Sequence, residues 1–405
     1  MKKRVLIFSL FYYPSFVSGA EEAVREITDR IDPDEIEFHV VTLAYDSTLS
    51  RTERIGNTFV HRIGRAKAHP TFQDLGKWPL NINKPLFQFM AAWKASRLQS
   101  QYHFDATWAI MAHATGVPAA LFKLFHPRVP FVLTLQEGDP TDRIERVMKP
   151  LWPLFLRAFT SANVIQAIST FLADWAKKRG ARCPIHVIHN GASPNDIHQT
   201  VSQKDIDDVQ ALIGKQPGDI FLVNTARLVV QKGWDTTIRA LPMLPANIKL
   251  LVVGDGPDEA SLKQLVGELH LNDRVVFVGH IDPLGVTAYR KAADIFVGPS
   301  RSEGLGNAFL SAMASELPVV ATRAGGLADY IFDAKRNPNK PTTAWAVDPD
   351  APEQIAEAVR SIINHPEDVK QITARARAMI LASYDWDGIA KQMQKEIFEP
   401  LWQIE

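Results

Sequence analysis

Residues 294–322 read DIFVGPSRSEGLGNAFLSAMASELPVVAT. A short apolar run at 295–297 stops at Gly298-Pro299, a glycine-rich turn carries Glu303, Gly304 and Gly306, and helical spacing of apolar residues begins near Asn307. A second apolar run opens at Pro318. Strand, loop, helix and strand in this order form the repeating unit of a parallel α/β sheet. The exposed N–H groups and positive dipole end of the helix start favour phosphate. The Glu303 carboxylate can accept hydrogen bonds from sugar hydroxyls, with helix capping as the plainer alternative.

The same alternation continues on both sides of this segment. Upstream come VLIF (5–8), FHVVTL (38–43), FVLTL (131–135), VIQAIS (164–169) and HVIHNG (186–191), then FLVNTA, IKLLVVG and VVFVG from Phe221, Ile248 and Val275. Downstream PVVATRAGG completes a second set. Two doubly wound sheets in tandem are expected, joined through the polar stretch 192–218. At about 100–200 residues per domain, the 405-residue length agrees with two large domains.

Composition narrows the function classes. Forty-five Lys and Arg balance 45 Asp and Glu, so no global positive field gathers nucleic acid, and any anionic partner must find a local patch. Cys183 is the only cysteine, which excludes an intramolecular disulfide or a cysteine-based metal cluster and fits a reducing, cytoplasmic compartment. The opening MKKR followed by VLIFSLF imitates a signal peptide, yet Tyr12-Tyr13-Pro14 ends the run without a small-residue cleavage site. A buried first strand is the expectation. No apolar run is long enough to span a bilayer, so membrane contact, if any, is peripheral.

In such sheets ligands bind outside the carboxyl ends of the strands. After FLVNTA stand Arg227 and Lys232-Gly233, two cations suited to a diphosphate, the alternative being a solvated basic turn. VVGDGP sets Gly254 and Gly256 around Asp255, permitting close backbone approach to a ligand. In the N-terminal half, Gly19 precedes a helix start carrying Glu21, and His113 lies near another strand end, where a structural histidine is the simpler reading.

Taken in order, SGAEEAVREI, VIHNGAS, TARLVVQKGWD, LLVVGDGP, VVFVGHI, SEGLGNAFLSAMASELPVVAT and the final YDW resemble the large retaining glycosyltransferase family 4 over nearly the whole chain. The resemblance implies a GT-B fold: two Rossmann-like domains facing a central cleft, with a C-terminal helix returning to the first. The corresponding boundaries are 1–198 with 386–405 for the acceptor side, and 199–385 for the nucleotide sugar. It further implies that Arg227 and Lys232 bind the donor diphosphate, that Glu303 contacts the transferred sugar, and that the backbone of Gly304, Leu305, Gly306 and Asn307 holds phosphate and sugar oxygens. Gly19 falls on the donor side, with Glu21, His113, Gln136 and Glu137 as acceptor-side candidates.

Three positions depart from the family pattern. Ser311 replaces the second Glu that binds ribose hydroxyls, Glu316 replaces a small turn residue, and Gln136-Glu137 stand where a histidine usually follows the strand. The implied reaction is retaining transfer from a nucleotide diphosphate sugar to a glycan or lipid-linked acceptor, with no cofactor. No Asp-x-Asp motif stands at a suitable strand end, which gives the expectation of no metal. A sugar-nucleotide epimerase and a noncatalytic nucleotide-sugar binder are the alternatives. The basic, aromatic segment 143–159 reads as a helix packed on the sheet, or else as a membrane-facing surface.

Overall fold

The computed structural model describes residues 2–14, 17–198 and 200–403. Ser15 and Phe16 of the loop before Gly19, Gln199 at the anticipated start of the second domain, and the terminal residues 404–405 lie outside the described residues. The chain forms two compact units, Met1–Asn190 with Trp386–Glu405, and Gly191–Asp385.

The first unit is built on β1 (Lys3–Phe8), β2 (Ile36–Leu43), β3 (Thr52–Ile55), β4 (Thr58–Ile63), β5 (Ala106–Ile110), β6 (Phe131–Leu135), β7 (Val164–Ala167) and β8 (Ile185–Val187). They lie in the order β3-β4-β2-β1-β5-β6-β7-β8, parallel except for the β3/β4 hairpin. Sequence periodicity missed that hairpin because β3, Thr-Glu-Arg-Ile, is a half-exposed edge with no apolar run. Central strands such as β1, β5 and β6 are buried along most of their length, as expected of strands covered on both faces. The C-terminal stretch from Trp386 inserts Ile389, Met393, Ile397, Phe398 and Leu401 into the core formed by Val5, Phe38 and Trp108.

In the second unit, β9 (Ile220–Thr225), β10 (Ile248–Val253), β11 (Val275–Gly279), β12 (Ile295–Gly298), β13 (Val319–Ala321) and β14 (Trp345–Ala346) form a parallel sheet in the order β11-β10-β9-β12-β13-β14. The boundary falls after Asn190 rather than after residue 198, for an electrostatic reason. Asp196 is fully buried and accepts hydrogen bonds from both Arg290 and Thr287, and from Ser315 Oγ at 2.5 Å. An ion pair taken out of water holds only with its partners in place, so residues 191–198 go with the helix that carries Arg290. Among the described residues, no helix is long and apolar enough to cross a membrane.

Of the three aromatics of the 143–159 segment, Phe155 and Phe159 are wholly buried and pack edge-on with each other, Phe159 also edge-on with Trp175, while Trp152 is half-buried. Their helix, Trp152–Thr160, therefore uses them for the core.

Beside β2 and β4, the buried His39 Nδ1 and His61 Nε2 lie 3.0 Å apart, and His39 Nε2 lies 3.1 Å from Glu37. Burial pushes both imidazoles down, His61 to about 4. Burial alone would raise Glu37, but hydrogen bonds from His39, Lys2 and Arg4 hold it at about 2. Histidines whose folded pKa is depressed stabilise the fold above the unfolded value of 6.5, and that stability is lost as pH falls toward 4. Below the ordinary 4.5 of a glutamate, Glu37 adds a second loss. Denaturant titrations should show stability declining by about 1.4 kcal/mol per pH unit per excess proton below pH ~6.5, and His61→Phe should flatten the decline. Equal slopes in both proteins would show that the buried ring does not discriminate between folded and unfolded states.

Candidate functional site

In the second sheet the chain runs from β9 outward to β10 and β11, then returns to place β12 on the other side of β9. The ends of β9 and β12 thus flank the topological switch point, where a parallel sheet opens a crevice for a ligand. Two loops meet there. Gly233 has φ +68°, and a Cβ on it would lie 2.2 Å from the carbonyl oxygen of Pro299. Only glycine permits this backbone contact. Arg301 fastens the same two loops: its N–H donates to Gln231 O at 2.7 Å and its guanidinium forks onto Asp235 at 3.0 and 2.8 Å. The hydrogen bonds to Asp235, against the opposing effect of burial, push the Arg301 pKa up.

This joint sets the polar cluster. Lys232 Nζ donates to Glu303 Oε1 at 2.6 Å, and Ser300 Oγ donates to the same oxygen at 2.9 Å. Glu303 is only 4% exposed, while Lys232 remains partly open to solvent. The helix Asn307–Ala314 begins four residues later with Gly306, at φ +89°, as its N-cap, so Glu303 is an ion-pair partner and not the capping acid. Burial, reinforced by the charge of Glu303, pushes the Tyr330 hydroxyl well above its ordinary value. It stays protonated and donates to the carbonyls of Leu305 at 2.7 Å and Gly306 at 3.1 Å. A Cβ on Gly325 would meet the Glu303 carbonyl at 2.0 Å, and Gly326 N–H donates to that same carbonyl.

The anticipated donor-side residues separate into two groups. Arg227, Lys232, Glu303 and the stretch Gly304, Leu305, Gly306 and Asn307 lie on the two loops at the switch point, with Leu305 buried. Arg227 is exposed, and its guanidinium has no hydrogen-bond or ion-pair partner among the described residues. Gly254 and Gly256 depart from expectation. Cβ atoms there would fall 2.1 Å from Ala226 O and 2.3 Å from Leu228 O, so the close approach they permit is to their own chain. Asp255 is exposed between them, with His280 3.9 Å away. Ser311 is buried one turn into the helix, where its Oγ accepts the Ser193 N–H at 3.0 Å.

In the first unit the strand order reverses between β1 and β5. Gly19 opens the helix Gly19–Thr28 after β1. Glu21 is fully buried and takes the N–H and Oγ–H of Ser18 at 2.9 and 2.5 Å, a capping box. Burial pushes its carboxyl up. Glu21 therefore secures the helix start and presents no carboxylate to an acceptor. Glu137 is likewise buried: its Oε1 accepts the Ala112 N–H at 2.6 Å and lies 3.4 Å from His113 Nδ1. That grip holds a strained turn, since the preceding Met111 has φ +67°. Gln136 is buried beside Asn190, at 3.4 Å. Of these four acceptor-side candidates only His113, with 32% of its side chain exposed, offers a polar group to solvent.

Sequence reasoning passed over Arg301, Ser300 and Tyr330. Ser300 stands three residues before Glu303 in the same loop, a legible spacing. Asp235, the partner of Arg301, stands 66 residues away and leaves no local trace.

Residues 174–379 match the family model described as Glycosyl transferases group 1, and residues 17–196 match that of Glycosyltransferase Family 4. An uncharacterized glycosyltransferase of Methanocaldococcus jannaschii is 30% identical over 395 residues, 94% of each chain. A GDP-mannose-dependent alpha-(1-6)-phosphatidylinositol monomannoside mannosyltransferase of Mycobacterium tuberculosis is 29% identical over 191 residues, 45% of this chain and 47% of the relative. Among solved structures, sucrose-phosphate synthase from Thermosynechococcus elongatus superposes with a TM-score of 0.81 at 19% identity over the whole of both chains. Anabaena HepE in complex with UDP and glucose does so with a TM-score of 0.75 at 22% identity, over 98% of this chain and 99% of that one.

The cluster makes a prediction about stability that is separate from catalysis. Lys232→Met leaves a buried carboxylate without its counter-charge and should cost about 1–3 kcal/mol. Arg227→Ala removes an exposed side chain and should stay within about 0.5 kcal/mol of wild type. Denaturant unfolding of both variants checks this, and equal losses would contradict the geometry.

Proposed function

The chain belongs to the group 1 glycosyl transferases, and on that footing we propose that it moves a glycosyl group from a nucleoside diphosphate sugar to an acceptor hydroxyl, with retention at the anomeric carbon and without a bound metal. The observation that carries the reading is the convergence of Lys232, Glu303 and exposed Arg227 on one strand-order switch point. A UDP complex of a fold neighbour and the GDP-mannose in a relative's name support the donor class.

The chemistry follows from charge placement. As the bond from the anomeric carbon to the diphosphate breaks, its electron pair goes to the leaving oxygen. Arg227 and Lys232 face that growing charge, aided by the helix start at Asn307. Lys232 has three N–H donors and gives one to Glu303, which leaves others for phosphate. The Glu303 carboxylate, fixed by Lys232 and Ser300, accepts from hydroxyls of the transferred sugar. The acceptor oxygen bonds to the anomeric carbon on the face the diphosphate leaves, and its proton passes to the departing phosphate oxygen. No enzyme nucleophile is needed.

Two cations and a helix start would supply the neutralisation that a metal supplies elsewhere. In one of the two Asp-Pro-Asp sequences of the chain, at 348–350, both carboxylates are paired with arginines: Asp348 with Arg336 at 2.6 Å and Asp350 with Arg301 at 2.5 Å.

Screening nucleoside diphosphate sugars for a rise in melting temperature identifies the donor, since a ligand of the folded state raises apparent stability. With that donor, Arg227→Ala and Lys232→Ala should each lower kcat by about 10²–10³-fold. Nuclear magnetic resonance of the product should show the donor's anomeric configuration. Inversion, near-wild-type turnover in either variant, or loss of turnover on exhaustive chelation that an added divalent metal restores, would each overturn the corresponding part of the reading.

A further inference from the structure

The helix Asn83–Tyr102 in the first unit turns its residues the wrong way for a helix of a water-soluble domain. Its inward face carries Ala91, Ala92 and Ala95 beside Phe87 and Leu98, all buried. Its outward face carries Leu86, Phe89 and Trp93, spaced three, four and seven apart, and Phe89 and Trp93 each expose more than half of their surface. Three alanines occupy much of the buried face, while three large apolar side chains stand toward solvent. The pattern continues on both sides: Trp78, before the helix, is 71% exposed, and at the end of the neighbouring helix Val117–Phe125 the side chains of Leu124 and Phe125 are exposed as well. His126 Nε2 lies 3.0 Å from Ser96 Oγ, which ties that end to the outer helix. Contiguous large apolar side chains on a surface mark a contact with something less polar than water.

Charge identifies what covers this face. No Asp or Glu stands between Lys77 and Phe104, nor between Ala106 and Gln136, in a chain whose acidic and basic residues are otherwise equal in number. Lys84 and Arg97 are exposed, and Lys94 is partly so. The Arg97 guanidinium lies 4.1 Å from the Trp93 ring centroid, and that of Arg65 lies 5.0 Å from that of Trp78. Paired tryptophan and arginine, with an apolar body beneath a cation, suit the boundary between lipid headgroups and acyl chains. A protein partner would need matching acids and a shaped surface, whereas a bilayer needs only apolar anchors and anionic headgroups.

We propose that the outer face of Asn83–Tyr102, with Trp78 and the Leu124-Phe125 tip, docks the protein on an anionic lipid bilayer, where Phe89 and Trp93 insert and Arg65 and Arg97, each beside an exposed tryptophan, meet lipid phosphates. The membrane-facing alternative considered for residues 143–159 thus moves to a different helix, because Phe155 and Phe159 are committed to the core.

The test is co-sedimentation of the full chain with vesicles of phosphatidylcholine alone or mixed with phosphatidylglycerol, at low and high salt. The wild-type chain should partition onto the anionic vesicles and be released by salt. Phe89→Ser with Trp93→Ser, and separately Arg65→Glu with Arg97→Glu, should each weaken partition by about tenfold or more while leaving circular dichroism and melting temperature unchanged. Failure of the wild-type chain to bind anionic vesicles, or variants that bind as it does, would overturn the proposal. So would a doubled mass in sedimentation equilibrium that the Phe89 and Trp93 substitutions abolish, since the face would then join two copies of this chain. None of these measurements needs a sugar donor, so their failure leaves the glycosyl-transfer reading where it stands.

Discussion

The carbonyl oxygen of Pro299 occupies the place where a side chain on residue 233 would begin. That contact brings the loop after β9 against the loop after β12, and everything polar at the switch point depends on it. Lys232 precedes the glycine, Ser300 follows the proline, and Glu303 lies one turn on; the three side chains converge because their backbones already touch. Arg301 reinforces the joint from outside through Asp235, Asp350 and the Val230 carbonyl. The site is therefore held by backbone geometry first and by charge second, an arrangement that keeps donors in place when a ligand leaves.

The two units solve the same problem with different chemistry. In the second, a lysine neutralises the buried Glu303. In the first, Glu137 is buried beside backbone N–H and a half-exposed imidazole, and its work is to fix the turn that carries His113. Buried carboxylates occur at both switch points, but only one has a permanent cation against it.

The strands were readable because a buried parallel strand is a short unbroken apolar run, and β1, β6, β9, β10 and β12 all have that form. The hairpin of β3 and β4 lacks such a run at its edge and stayed hidden. Residue types at the site were readable from their loops, while their partners were not. Nothing near Arg301 announces Asp235, whereas Ser18, three residues before Glu21, is the capping-box spacing that marks this acid as a helix cap, and burial bears it out. Gly254 and Gly256 signalled close approach correctly as a type of contact, yet what approaches is the chain itself. The direction of a helix face is equally silent in composition: Phe89 and Ala91 are two residues apart, and only packing shows which one faces water.

The segment from Trp386 to Leu401 has a consequence for how the chain is made. Its side chains complete the core around Phe38 and Trp108, although some 280 residues of sequence separate Trp108 from Trp386. Synthesis runs from the N-terminus, so residues 1–190 leave the ribosome before the stretch 386–401 that their core needs, and that core cannot close until the stretch follows. The second unit, continuous in sequence, has all its strands available sooner. Of the two units, the one whose strands are made first is completed second, and during that interval the patch that Ile397 and Phe398 cover stands open to chaperones.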